Sequence, residues 1–358
     1  MTIIKEENTT ISLLKDISLT ALFVFIFTTL IITISGAPPF EAYENIIRGA
    51  FGSYSKFGQV IKVWIPLTLC SCGLLYTFKI NLWNIGIEGQ MIMGAVFGMA
   101  AFKYIPGTCP AALTILIAFI AGLTGGAIWA LFAGFLKTFG GVNEIFAGLG
   151  MNFVAQSIIL WLIFGPWKRE GIASMSGTEQ LSDPLWLSTF TKMRISPTAI
   201  VLTVASILIT AFILKYTKVG LGLKAIGSNM QSAFMYKLKP TSYMLLAMIF
   251  AGGFAGLAGT MQVTGVYHRL IPTISSNYGY LALFVVMLAN YNVWAAPLVA
   301  LFFACLNVGS IQLPMVLQID SSLSGVIQGA LVLATLGVQS FKTMKKKRRE
   351  YNNSNGRV

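Results

Sequence analysis

The chain has 358 residues, of which 56% are hydrophobic and only 10% charged, against about 25% charged in a typical soluble domain. That balance excludes an ordinary water-soluble enzyme. The net charge of +13 fits basic loops held against an anionic membrane surface rather than a nucleic-acid partner.

Many stretches of about 18 to 25 residues carry no charge, enough to cross ~30 Å of hydrocarbon as a helix. The ~10-residue alternating segments of a membrane barrel are missing. The expected fold is therefore an all-α polytopic membrane protein of about ten transmembrane helices, in the range 8 to 10, with a helical segment in a cytoplasmic loop. The spans are read at 17–35, 63–80, 86–105, 110–136, 144–165, 198–214, 243–265, 279–292, 294–311 and 323–341. The eighth is short, and a short span can be re-entrant or broken. Residues 1–16 form an N-terminal tail, 17–341 the transmembrane domain and 342–358 a basic C-terminal tail. Lys5, Glu6, Glu7, Lys15 and Asp16 precede the first apolar run and no small-residue cleavage site follows it, so no cleaved signal is expected.

Taken in order, polarity first enters the membrane at Asn81-Leu82-Trp83-Asn84-Ile85-Gly86-Ile87-Glu88-Gly89-Gln90, which joins two apolar runs almost without a loop. Non-helical backbone at such a depth is tolerated only inside protein or beside a water-filled cavity. Asn84, Glu88 and Gln90 either brace neighbouring turns or touch a transported solute. Glycine pairs four residues apart, Gly94 and Gly98, Gly122 and Gly126, and Gly252 and Gly256, each occupy one helix face and allow close helix packing. Asn143 and Glu144 then open a span along which Glu144, Gly148, Asn152 and Gln156 recur every four residues as one drifting stripe. Such a stripe faces the bundle interior, where it lines a path for a polar solute or bonds neighbouring helices. The span ends at Gly165-Pro166-Trp167-Lys168, an interfacial turn with an aromatic anchor.

The stretch Lys215–Tyr243 has five lysines and no acid. Ser228–Leu238 is expected to form about three helical turns, with Asn229 as N-cap and Pro240 as a stop. It is either a docking helix or a solvated connector. Further on come Tyr267-His268-Arg269-Leu270 and Tyr278-Gly279-Tyr280; the single histidine, beside an arginine, reads as an outer-surface contact and not a catalytic base. With ten spans both termini share a side. That side carries sixteen of the 25 basic residues, which puts both termini in the cytoplasm. Cys70, Cys72, Cys109 and Cys305 read as unpaired thiols in or beside apolar runs, and a Cys70–Cys72 metal pair lacks nearby ligands. No metal site is expected. No G-x-x-x-x-G-K-[ST], H-E-x-x-H or G-x-S-x-G occurs, so an energised transporter built on this chain must borrow its motor.

Asn84-Ile85-Gly86-Ile87-Glu88-Gly89-Gln90 resembles the NIGxEGQ signature of permease subunits in the branched-chain amino acid and simple sugar group of ABC importers. The glycine-rich Phe250–Gly259, then Tyr267–Leu270, Tyr278–Tyr280 and Val326-Ile327-Gln328-Gly329 follow in that family's order, and Gly165–Lys168 resembles its nucleoside-type branch. The resemblance implies a non-enzymatic membrane subunit without bound cofactor, with magnesium-bound ATP on a separate ABC ATPase subunit. It implies a second permease subunit, identical or homologous, an extracytoplasmic substrate-binding protein, a plasma or inner membrane location, and no nucleic acid. The coupling helix would be opened by Gly227, Ser228, Asn229, Gln231 and Ala233, although family members commonly carry Pro-Glu-Ala-Ala where Met230-Gln231-Ser232-Ala233 stands here, and a glycine where Lys237 precedes Leu238. Lys168, Arg169, His268 and Arg269 would dock the binding protein. The expected cargo is a nucleoside or similar small polar solute, with a simple sugar or riboflavin as alternatives. An ATP-independent secondary transporter or channel is the competing class.

Overall fold

A computed structural model of the chain describes residues 38–311 apart from 106, 108, 170 and 172–176, with scattered positions on either side. The N-terminal tail, the C-terminal tail apart from Met344, most of the tenth span with Ile327 and Gln328, and much of the first span lie outside the described residues. The chain divides into two units, residues 54–304 and residues 1–53 with 305–358.

Among the described residues the regular structure of both units is helical, with α1 in the smaller one. We label α1 Pro39–Phe51, α2 Tyr54–Lys79, α3 Ile87–Tyr104, α4 Ala111–Thr138, α5 Glu144–Phe164 and α6 Pro197–Tyr216. Two short helices follow, α7 Lys218–Ser228 and α8 Met230–Met235. Then come α9 Pro240–Gln262, continued by a π turn over Val263–Tyr267, α10 Tyr278–Leu288 and α11 Ala295–Ser310. The helix starts follow from local chemistry. Asn143 Oδ1 accepts the Ile145 N–H at 2.9 Å to open α5. Proline stands at the first position of α6 and α9, where its missing N–H costs nothing.

Among the described residues five helices are long and apolar enough to cross a membrane: α2, α4, α5, α6 and α9 with its π turn. The helix Phe25–Ile34 meets α1 at 111°, and the two taken as one bent span would make a sixth. α10 has only 11 residues, about 16 Å at 1.5 Å per residue, so it does not reach across ~30 Å of hydrocarbon alone.

α9 is the centre of the larger unit. Hydrocarbon tails are as apolar as leucine, so helices in a membrane associate through close backbone packing rather than hydrophobic exclusion. The glycine pairs supply it: a Cβ on Gly94 would overlap the Gly256 backbone, and one on Gly126 would overlap the Gly252 carbonyl. Thr260 adds a hydroxyl that donates to the Gly94 carbonyl at 3.2 Å. α2, packed against α9, α10 and α6, is buried over most of its length. α4, α5 and α6 keep exposed faces bearing Phe132, Phe153, Trp161 and Phe212, as helices that meet lipid do.

The stretch Ser228–Leu238 is not one helix. α7 begins ten residues earlier, because the Thr217 hydroxyl accepts the Gly220 N–H at 3.2 Å, and it stops at Ser228. Asn229 is extended (φ −158°, ψ 107°) so that its Oδ1 can accept the Ser232 N–H at 3.0 Å and start α8. An N-cap must leave helical geometry, so the residue that starts one helix ends the other.

In the smaller unit Ile32, Ala42, Ile46 and Leu313 form an apolar cluster, and Gly49 lies against the Gly309 backbone. Arg48 and Glu44 pair at 2.6 Å on its surface.

Candidate functional site

The site is built on the break between α2 and α3. α2 closes with Leu82 N–H on the Thr77 carbonyl at 2.9 Å and Asn81 N–H on the Phe78 carbonyl at 3.1 Å, with Asn81 left-handed (φ 57°). This is the Schellman arrangement, and asparagine is one of the few residues that tolerate its left-handed position. Asn84 and Gln90 then exchange amide hydrogen bonds at 3.0 and 2.9 Å, both fully buried. The polar segment therefore holds its own shape.

Two neighbours attach to it, α5 and the start of α10. Asn152 of α5 accepts the Gly89 N–H at 2.8 Å and donates to the Ile85 carbonyl and the Tyr280 hydroxyl, each at 2.9 Å. Glu88, almost entirely buried, accepts the Asn277 N–H at 3.0 Å and the Gly279 N–H at 2.8 Å, the opening turn of α10. A carboxylate at a helix N-terminus satisfies orphan N–H groups and faces the positive end of the helix dipole. Gln156, one turn beyond Asn152, donates to the Pro272 carbonyl at 3.0 Å.

These groups line a half-open cavity of about 260 Å³ formed by Glu88, Asn152, Gln156, Thr273, Ser275, Ser276, Asn277 and Tyr280, with Ile92 and Pro272 as its apolar wall and the exposed Phe153 at its mouth. α5 has 21 residues, about 32 Å at 1.5 Å per residue, and Asn152 and Gln156 stand roughly 12 and 18 Å along it. The cavity is at mid-span. Asn152 already uses both its amide hydrogens, whereas Gln156 Oε1, the second Gln156 N–H and the Tyr280 O–H have no partner among the described residues and stand beside two aromatic rings. A mixed donor and acceptor set against aromatic walls suits a small neutral solute with hydroxyl or amide groups.

The family described as branched-chain amino acid transport system / permease component matches residues 57–336. The chain belongs to that family. Among curated relatives, a glucose ABC transporter permease protein of Haloferax volcanii is 26% identical, covering 85% of this chain and 82% of its own. A guanosine ABC transporter permease protein of Bacillus subtilis is 24% identical over 85% of this chain and 87% of its own. A nucleoside ABC transporter permease protein of Lactococcus lactis subsp. cremoris is 24% identical over 80% and 81%. The permease is thus a multi-pass membrane protein and a non-enzymatic subunit.

Of the residues singled out in the sequence, Glu88, Asn152 and Gln156 meet at the cavity, and Asn84 and Gln90 stand behind it as an internal brace. Asn143 and Glu144 are elsewhere: Asn143 is an exposed cap, and Glu144 pairs with Lys137 at 2.7 Å across the α4–α5 turn. The stripe is polar at its first position for a surface ion pair and only further along for the cavity. Gly148 of that stripe packs on Gly86.

Gly227 rests on the α2 end, Ala233 is buried, and Ser228, Asn229 and Gln231 are exposed beside the bare Phe234 and Met235. At the opposite ends of the helices Lys168 is exposed and Arg169 and Arg269 are half-buried. His268 is held inward, stacked on Trp186 at 3.9 Å with Nδ1 3.0 Å from the Thr264 carbonyl. Partial burial is the main influence lowering its pKa below the usual 6.5, with the charge of Lys62 acting the same way; the Thr264 hydrogen bond and Asp183 oppose this.

The cavity residues missed in the sequence are Thr273, Ser275, Ser276 and Asn277, while Tyr280 was singled out within Tyr278-Gly279-Tyr280 without a role in the path. Their signal was available: a polar run ending in a capping-type asparagine directly before an apolar helix.

Proposed function

We propose that this chain forms the translocation path of an ATP-binding cassette importer for a nucleoside or a similar small polar solute, through the cavity between α3, α5 and the start of α10. The observation that carries this is the mid-span cavity with unspent Gln156 and Tyr280 groups beside Phe153. Its polar groups are neutral or already committed to backbone, which suits a neutral solute better than an amino acid zwitterion. In this reading the lysine-rich stretch with α7 and α8 faces the cytoplasm, against a separate ATPase subunit that holds ATP and magnesium. Lys168 and its neighbours then face an extracytoplasmic binding protein. A second permease subunit completes the membrane part.

The test is uptake of labelled guanosine, other nucleosides and glucose by cells with and without this chain. Loss of nucleoside uptake is the expected result, and unchanged uptake of every nucleoside rejects the assignment. A simple sugar is the second reading, favoured by the similarity to the Haloferax volcanii glucose permease protein. Selective loss of glucose uptake would establish it. Uptake that survives ATP depletion but not collapse of the ion gradient would instead identify a secondary transporter.

A further inference from the structure

One short piece of chain runs directly from the coupling segment to the cavity, beside the packing of α7 on α9 through Gly222 and Tyr243. At one end, Gly227 of α7 lies on the last turn of α2 so closely that a Cβ there would overlap the Lys79 carbonyl oxygen. Beside that contact the Asn81 side chain donates to the Gly227 carbonyl at 2.6 Å. At the other end, seven residues on, Glu88 carries the first N–H groups of α10. Between them the paired amides of Asn84 and Gln90 and the Gln90 N–H on the Gly86 carbonyl at 3.1 Å prevent the segment from flexing as a loop would. Both attachments are too tight to slip: Gly227 has no space for a side chain, and a Cβ on Gly279 would stand 2.6 Å from Glu88 Oε2. A displacement of α7 therefore has a stiff route to the cavity wall through this segment.

We propose that Asn81 and Glu88 are positioning residues at the two ends of this route. The segment between them acts as a lever that moves the start of α10, and with it Thr273–Tyr280, when α7 moves. This rests on the permease reading above. It assigns the braced shape of the broken segment to transmission and makes Glu88 a holder of the cavity wall rather than a ligand for the solute. A transmission element needs discrete attachments at both ends and rigidity between them, and all three are present here.

The test needs no knowledge of the solute. The full importer is assembled in membrane vesicles with its ATPase subunit, using a chain in which Cys109 and Cys305 are serine and the cavity residue Thr273 is changed to cysteine. The rate of labelling by a maleimide is read with and without ATP. ATP is expected to change the rate by about fivefold in this parent and to leave it nearly unchanged in Asn81→Gly, which keeps the left-handed backbone but removes the amide, while ATP hydrolysis stays within about twofold. Glu88→Gln, which replaces one acceptor oxygen by a donor, is expected to lose the response in the same way. A full ATP response in Asn81→Gly overturns the proposal. So does collapse of ATP hydrolysis in that variant, which would make Asn81 a docking residue for the motor. Labelling that ATP does not affect in the parent overturns both the lever and the importer reading, whereas a failure of nucleoside uptake with ATP-dependent labelling intact sinks the solute assignment alone.

Discussion

Glu88 and Gly279 lie 191 positions apart in the chain, yet Glu88 Oε2 accepts the Gly279 N–H at 2.8 Å and leaves no room for any side chain on the glycine. Gly279→Ala should therefore push the carboxylate off the start of α10. The expected cost is about 1 to 3 kcal/mol of overpacking, seen as a lower thermal midpoint of the purified protein in detergent. Transport should fall with it. An unchanged midpoint would mean that the start of α10 can give way.

Asn152 and Gln156 share a helix face and a cavity but should fail differently. Asn152→Leu leaves the Gly89 N–H and the Ile85 carbonyl without their partner, at about 1 to 3 kcal/mol for each buried group left unpaired. Its first effect should be on stability. Gln156→Leu removes one bond to the Pro272 carbonyl and the free end that faces the cavity. The expected outcome is a raised KM or lost uptake with the thermal midpoint nearly unchanged. Equal destabilisation in both variants would make Gln156 a brace too.

Gly227→Leu drives a side chain into the Lys79 carbonyl. ATP hydrolysis by the assembled importer should continue, while uptake per ATP hydrolysed drops by about tenfold, a coupling loss within the usual range between linked sites. Deleting 228–238 should uncouple the two completely while the bundle stays folded. Normal ATP-driven uptake in either variant would remove the coupling role from this segment.

His268 gives a pH signature. Its folded pKa is below the ordinary 6.5, chiefly because it is partly buried against Trp186. The neutral ring is the form the fold prefers, so nothing is lost above 6.5. As pH falls through 6.5 the unfolded chain binds a proton first and stability drops, until the folded form is protonated as well. Thermal midpoints measured from pH 8 to pH 5 should decline below about 6.5 in the parent and less steeply in His268→Phe, which retains the stacking.

Composition and span length alone determined that this is a helical membrane protein, because hydrocarbon admits only segments that satisfy their own backbone. The break at Asn81–Gln90, the N-cap role of Asn229 and the close-packing glycine pairs were equally legible, since each depends on residues within a few positions of one another. The partners of the polar residues were not legible. Nothing in Glu144, Asn152 and Gln156 distinguishes a surface ion pair, a brace and a cavity wall, because equal spacing fixes only the helix face. Lys137, Gly89 and Pro272 decide among them, and they are brought there by the packing of α4, α3 and the descending segment before α10. Glu88 is the same case at longer range. Its sequence neighbourhood announces a buried carboxylate, but the backbone N–H groups that hold it belong to Asn277 and Gly279. Only the folded chain makes them neighbours.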